Sequence, residues 1–196
     1  MNEQATRLGA TERRAQLFAA ARETFGTKGF TATSMNDIAV AAGVTKPLLY
    51  QHFESKHQLF LEILTDTAAS LIKAIGDAVG ASESGREKIE NGMAAAVHFF
   101  GESPSSYQVF YGEGVRTEPD FAEVHRVLID ALHQFTAEHI DIESLSKEQR
   151  ILAATGVAGQ LEAVVGHWIN TGQEQSAAEV ASLLSSLAWR GLRGTT

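Results

Sequence analysis

Two short runs of helix-spaced apolar residues, joined by a single glycine, constrain this chain more than any other feature. Met35, Ile38, Ala39 and Ala42 recur at i, i+3, i+4 and i+7, the repeat of one helical face. Thr33 or Ser34 can cap this helix, with Asp37 in its first turn, where a carboxylate suits exposed N–H groups and the helix dipole. Gly43 follows at once, and glycine accepts the left-handed conformation that ends a helix and turns the chain. The next helix starts at Thr45, a good N-cap residue, with Pro47 in its first turn, where a missing N–H loses no helical partner. Leu49 and Phe53, four apart, face inward.

Each residue type in this unit has a physical reason. Ala39 lets two helices cross closely, Gly43 makes the turn, and Leu49 anchors the second helix so that its opposite face stays exposed. That face carries Thr45, Lys46, Leu48, Tyr50 and His52, and it has the size and polarity to enter a DNA major groove with its N-terminal residues toward base edges. A bare packing motif of helix, turn and helix is the alternative. It would not require Tyr50, His52 and Lys56 beyond the turn.

The rest of the chain reads as helix as well. Leu17, Phe18, Ala21 and Phe25 define a first helix over about 11–27, with Lys28-Gly29 as its stop and Phe30 packing back beneath it. Ser55 caps a long fourth helix, 56–79, with the stripe Phe60, Ile63, Leu64, Leu71 and Ile75. Beyond the polar GASESG break, further helices are expected at 86–101, 104–112, 119–139, 147–171 and 177–190, two of them opened by Ser103-Pro104 and Glu118-Pro119. The expectation is an all-α fold of about nine helices. It divides into a three-helix helix-turn-helix domain over 1–55 and a helical domain over 56–196. No internal repeat or low-complexity segment is present.

A formal net charge of −8 argues at first against a nucleic-acid partner, since phosphates repel an acidic surface. The average conceals a division. Residues 1–60 hold seven Lys or Arg against five Asp or Glu, whereas residues 61–196 hold nine against nineteen. The absence of cysteine removes disulfides and thiolate metal sites and is compatible with a reducing cytoplasm, the expected location. The amino-terminal MNEQATRLGATERR has no apolar core of a secretion signal, and no run approaches the ~18–20 apolar residues that cross a bilayer. No membrane partner is expected.

The run GFTATSMNDIAVAAGVTKPLLYQHFESKHQLF resembles the TetR/AcrR family signature, an N-terminal helix-turn-helix followed by a Tyr-x-His/Tyr-Phe-x-x-Lys pattern, with the likeness covering about residues 11–64. The resemblance implies a dimeric repressor that binds an inverted-repeat, double-stranded operator through residues 1–55 and is released by a small effector bound by residues 56–196, which also dimerise, with no cofactor and no catalysis. It implies phosphate contacts from Thr33 or Ser34, Tyr50, His52 and Lys56, and base-side positions at Thr45, Lys46, Pro47 and Leu48. Many relatives carry Gly-Thr where this chain has Pro47-Leu48, so a more apolar groove contact, reading thymine methyl groups, is expected here.

Seven of the fifteen aromatic residues fall between Phe99 and Phe135. Such crowding suits either an apolar ligand cavity or a plain packed core. The resemblance adds weight to a pocket, with Phe99, Tyr107, Phe110, Tyr111 and Phe121 as lining and His98, His125 and Trp168 as polar handles. Seven histidines invite a metal site, yet none pairs at i, i+4, and His125, His133 and His139 do not share one face well, so no metal is expected. Gly156, Gly159, Ala163 and Gly166 form a small-residue ridge, and Val180, Leu183, Leu184 and Leu187 an apolar face. Together they suit either a four-helix dimer interface, the family's arrangement, or packing within one subunit.

Two rivals stand beside the regulator. A helical-bundle enzyme would need a catalytic signature, and none of G-x-S-x-G, G-x-x-x-x-G-K-[ST] or H-E-x-x-H is present. An effector-independent architectural DNA-binding protein would be basic throughout, and this chain is acidic over two thirds of its length.

Overall fold

The computed structural model describes residues 9–140 and 144–193. Residues 1–8, part of the stretch read against a secretion signal, lie outside them, as do Met1 and Thr196, the outer ends of the two expected domains. Every regular element among the described residues is a helix: α1 (Ala10–Lys28), α2 (Met35–Ala41), α3 (Lys46–His52), α4 (Lys56–Gly80), α5 (Gly85–Glu102), α6 (Pro104–Tyr111), α7 (Glu113–Thr117), α8 (Pro119–Glu138), α9 (Lys147–Asn170) and α10 (Ala177–Arg193). None is long and apolar enough to cross a membrane. The nine expected helices are present close to their expected bounds, and the tenth is the five-residue α7 between Gly112 and Glu118.

Helix ends follow local chemistry. Gly29, at φ +78°, stops α1, and its N–H reaches back to the Phe25 carbonyl at 2.9 Å. Ser34, Ser55, Ser84 and Ser146 each accept a hydrogen bond from a backbone N–H in the first turn of α2, α4, α5 and α9. Pro104 and Pro119 open α6 and α8.

One continuous buried cluster runs from Leu17 in α1 to Ala188 in α10. The division expected after residue 55 therefore crosses a shared core. At the joint, Phe121 at the start of α8 is fully buried, its ring 4.5 Å from Phe60 and 4.7 Å from Phe30, while Phe25 meets Phe60 at 5.2 Å. A Cβ on Gly26 would lie 2.4 Å from the Ser105 Cα, so glycine lets α1 and α6 touch along their backbones. Arg14–Glu62 and Arg22–Asp66 ion pairs tie α1 to α4 on the outside. Such exposed pairs contribute only about 0–1 kcal/mol each, so the aromatic joint outweighs them. Farther along, α5 packs between α4 and α10, and α8 lies against α9.

Candidate nucleic-acid interface

The helix-turn-helix forms where the sequence places it. Ser34 Oγ accepts from the Asp37 N–H at 3.1 Å, and Asp37 in turn accepts from the Ser34 N–H at 2.9 Å, closing a capping box. Lys28 Nζ lies 2.8 Å from Asp37, and these hydrogen bonds, Lys28 first and Ser34 next, hold its carboxyl well below the usual range. Gly43 adopts φ +66°, and the Val44 N–H donates to the Ala39 carbonyl at 2.9 Å across the turn. Leu49 is fully buried and Ala39 nearly so, which fixes α3 against α2. Phe53 closes the unit, with the Arg14 guanidinium 4.7 Å above its ring.

What α3 leaves outside is its N-terminal face. Thr45, Lys46, Pro47 and Tyr50 are exposed, and Leu48 and His52 are half-buried. Thr45 occupies the N-cap position, yet its side chain makes no capping bond, so its hydroxyl remains free. The Lys46 ammonium sits 5.8 Å from the Tyr50 ring centroid. Three further residues expected at phosphates are already engaged. Thr33 is buried, its hydroxyl donating to the Gly29 carbonyl at 2.7 Å. Ser34 serves the cap of α2. Lys56 Nζ donates to the carbonyls of Phe30 and Thr33 at 2.9 Å each and lies 4.2 Å over the Phe30 ring. Lys56 thereby clamps the loop between α1 and α2, which periodicity alone does not reveal. Val40 is 71% exposed on α2 beside the turn, a neighbour of the reading surface that the sequence did not single out.

Of the head's described cations, Arg14, Arg22 and Lys28 are paired with carboxylates and Lys56 with carbonyls. Lys46 and Arg13 are left over, the latter bonded to Gln16 at 2.7 Å. Electrostatic attraction from one head is therefore modest.

In the remainder, a cavity of about 80 Å³ lies between α4, α5, α8 and α9. Its walls are apolar, including Ile75, Met93, Leu132, Phe135 and Leu161, with Lys88 as the one charged wall residue. His139 also lines it, its Nδ1–H donating to the Phe135 carbonyl at 2.7 Å. The eight residues expected around a ligand lie outside the lining of this cavity. Tyr107, Phe110 and Tyr111 pack edge-on or tilted against Phe100, His125 meets Phe110 and Tyr111 edge-on, Phe121 fills the joint to the head, Phe99 packs edge-on against Phe100, and His98 and Trp168 border an outer groove. Aromatic crowding produced ring-on-ring packing, while the space opened where smaller Gly92, Ala96 and Ala158 stand. Leaving Tyr111 Oη and His125 Nε2 buried and unpartnered costs about 1–3 kcal/mol each. Among the described residues no three His, Asp or Glu side chains converge as a metal site.

The faces expected to meet a second subunit divide. Gly156, Gly159 and Ala163 on α9 are exposed, and Leu183 and Leu187 on α10 are 57% and 51% exposed. Gly166, Val180 and Leu184 face inward within the protomer. A Cβ on Gly166 would meet the Tyr107 hydroxyl at 2.2 Å, while α10 spends Val180 and Leu184 on its own core.

Comparison with known proteins agrees with this architecture. The family model described as bacterial regulatory proteins, tetR family, matches residues 17–63. The HTH-type transcriptional activator FasR of Mycolicibacterium smegmatis is 29% identical over 97% of this chain and 88% of its own length. A FadR from Bacillus subtilis, solved in complex with stearoyl-CoA, shares the fold at TM-score 0.76 and 15% identity, over 89% of this chain and 96% of its own. A TetR-like transcriptional regulator from Rhodococcus sp. RHA1 superposes with TM-score 0.81 and 32% identity over 96% of this chain and all of its own. With a full-length relative at that identity and the reading helix in place, the chain belongs to the TetR family of DNA-binding transcriptional regulators.

Proposed function

We propose that the protein is a homodimeric repressor whose two heads bind an inverted-repeat operator and let go when a largely apolar small molecule enters the body. The observation that carries the DNA side is α3, locked by buried Leu49 and presenting Thr45, Lys46, Pro47, Leu48 and Tyr50 outward. His52 stands at the end of that face, while Thr33, Ser34 and Lys56 hold the loop that orients it. In this reading residues 1–55 recognise DNA and residues 56–196 sense and dimerise, with Gly156, Gly159, Ala163, Leu183 and Leu187 against the partner. A chromosomal target places the protein in the cytoplasm, and the body is a sensor without catalysis.

The cavity between α4, α5, α8 and α9 supports the ligand side. At about 80 Å³ it is smaller than the ~300–1,000 Å³ of typical ligand sites, so an effector must part these helices to enter. That motion is the coupling, because α4 begins beside α3 and α8 begins in the Phe121 joint. An effector shifts the equilibrium only by its difference in affinity between the two states. The stearoyl-CoA of the Bacillus subtilis FadR makes a long acyl chain the first compound to try, with Lys88 as the counter-ion of an anionic head.

A second reading, activation, is favoured by FasR, which is named an activator. Transcription in vitro from a promoter carrying an operator selected from random duplexes separates the two. Repression expects less transcript with protein and recovery on adding stearoyl-CoA, whereas more transcript with protein would establish activation instead.

A further inference from the structure

Tyr111 Oη and His125 Nε2 are buried without a hydrogen-bond partner, a condition shared among the described side chains only by Arg22 Nε. Arg22 is otherwise held, its Nη2 lying 2.9 Å from Asp66. Tyr111 is 4% exposed, enclosed by the rings of Phe100, Tyr107, Phe110 and His125 at 4.9 to 6.0 Å between centroids. Burial pushes the Tyr111 phenol far up and the His125 imidazole down, the nearby Arg116 acting in the same sense on His125, so both are neutral near pH 7. If this site needed only volume, phenylalanine would fill it without an orphaned hydroxyl.

The pair stands in line with the cavity. On α8, His125 shares an inward stripe with Leu132, Thr136 and His139, all three of which line it. On α5, Phe100 is one turn beyond the wall residue Ala96, and its ring is 5.8 Å from that of Tyr111. On α9, Leu161 is a wall residue, and the carbonyl of the adjacent Glu162 accepts from Tyr107 Oη at 2.8 Å. The fourteen residue steps from His125 to His139 span about 21 Å of helix. An extended chain covering ~1.2 Å per bond bridges that span with about seventeen bonds.

We propose that Tyr111 Oη and His125 Nε2 form a hydrogen-bonding subsite along the α8 stripe beyond the cavity, for a neutral hydroxyl at the tip of a long-chain ligand whose anionic head stays at Lys88. The inference rests on the reading of the cavity as the effector site. The hydroxyl accepts from the tyrosine O–H and donates to the bare imidazole nitrogen, so both orphaned atoms are satisfied at once. Glu162, whose negative charge also reaches Tyr107 and Tyr111, disfavours an anionic tip. A ligand that reaches this floor touches α6 and α8, the two helices that meet the head at Ser105 and Phe121, so tip recognition and release from DNA are linked.

The test compares palmitate with ω-hydroxypalmitate by calorimetry and thermal shift on the full-length wild type and on Tyr111→Phe. The wild type is expected to bind the hydroxylated chain about tenfold more tightly, the worth of one satisfied hydrogen-bond pair. Tyr111→Phe should lose that preference, keep its affinity for palmitate and, without ligand, melt no lower than the wild type. Equal affinities in the wild type, or a preference that survives Tyr111→Phe, would overturn the subsite and leave the cavity reading standing. Binding of neither compound would overturn both.

Discussion

At Gly43 the backbone holds φ +66°, and an added Cβ would meet nothing within 4 Å, so a side chain there suffers conformational strain alone. Gly43→Ala should lower stability by about 1–2 kcal/mol in urea unfolding while leaving the core intact. Gly166 differs, because its missing Cβ makes room for the Tyr107 hydroxyl. Gly166→Ala should cost about 1–3 kcal/mol and break the Tyr107–Glu162 bond, and an unchanged midpoint would show that the tyrosine moves aside freely. The two glycines also mark what a sequence can disclose. Gly43 was legible because it follows a periodic run directly. The partner of Gly166 was not, because small-residue spacing shows that something approaches closely, not whether it comes from the same subunit. Asp37 supplies a pH signature. Its folded pKa lies below the ordinary 3.8, so its contribution to stability is present above that value and is lost as the pH falls through and below it. Asp37→Asn should therefore flatten the acid side of the stability profile, below about pH 4, relative to the wild type.

Helices rather than residues decide the reading head. Leu49→Ala, at a fully buried anchor, should remove about 2–5 kcal/mol and abolish specific DNA binding, since α3 loses its fixed angle to α2. Lys46→Ala should leave stability nearly untouched and reduce the salt dependence of DNA affinity by about 0.9 in log–log slope for each head. An unchanged slope would mean that Lys46 displaces no counterion and that α3 does not enter the groove. Nearly all helices were legible because their apolar stripes run for several turns. The five-residue α7 was not, since so short a run shows no period. The cavity was also illegible. It depends on four helices leaving a gap near Gly92, Ala96 and Ala158, a property of their mutual placement that no single stripe encodes.

At the scale of the whole molecule, a weakly basic head on an acidic body gives the proposed dimer its physical rationale. Doubling the head through the α9 and α10 faces, as proposed, would turn the second contact into an intramolecular one and raise affinity without new contacts. Leu183→Glu with Leu187→Glu, both at exposed positions, should leave the protomer folded, shift sedimentation from dimer to monomer, and weaken operator binding by two or more orders of magnitude. The joint at Phe121, where the body enters the core of the head, is the place through which a parted cavity would alter the spacing of two heads held about 34 Å apart. The most direct test of the regulator as a whole is its affinity, at fixed near-physiological salt, for a duplex selected from random sequence against a scrambled duplex of equal length. The account predicts an inverted repeat bound by two protomers at least ~10³-fold more tightly than the scramble. Equal affinity for both duplexes would contradict it.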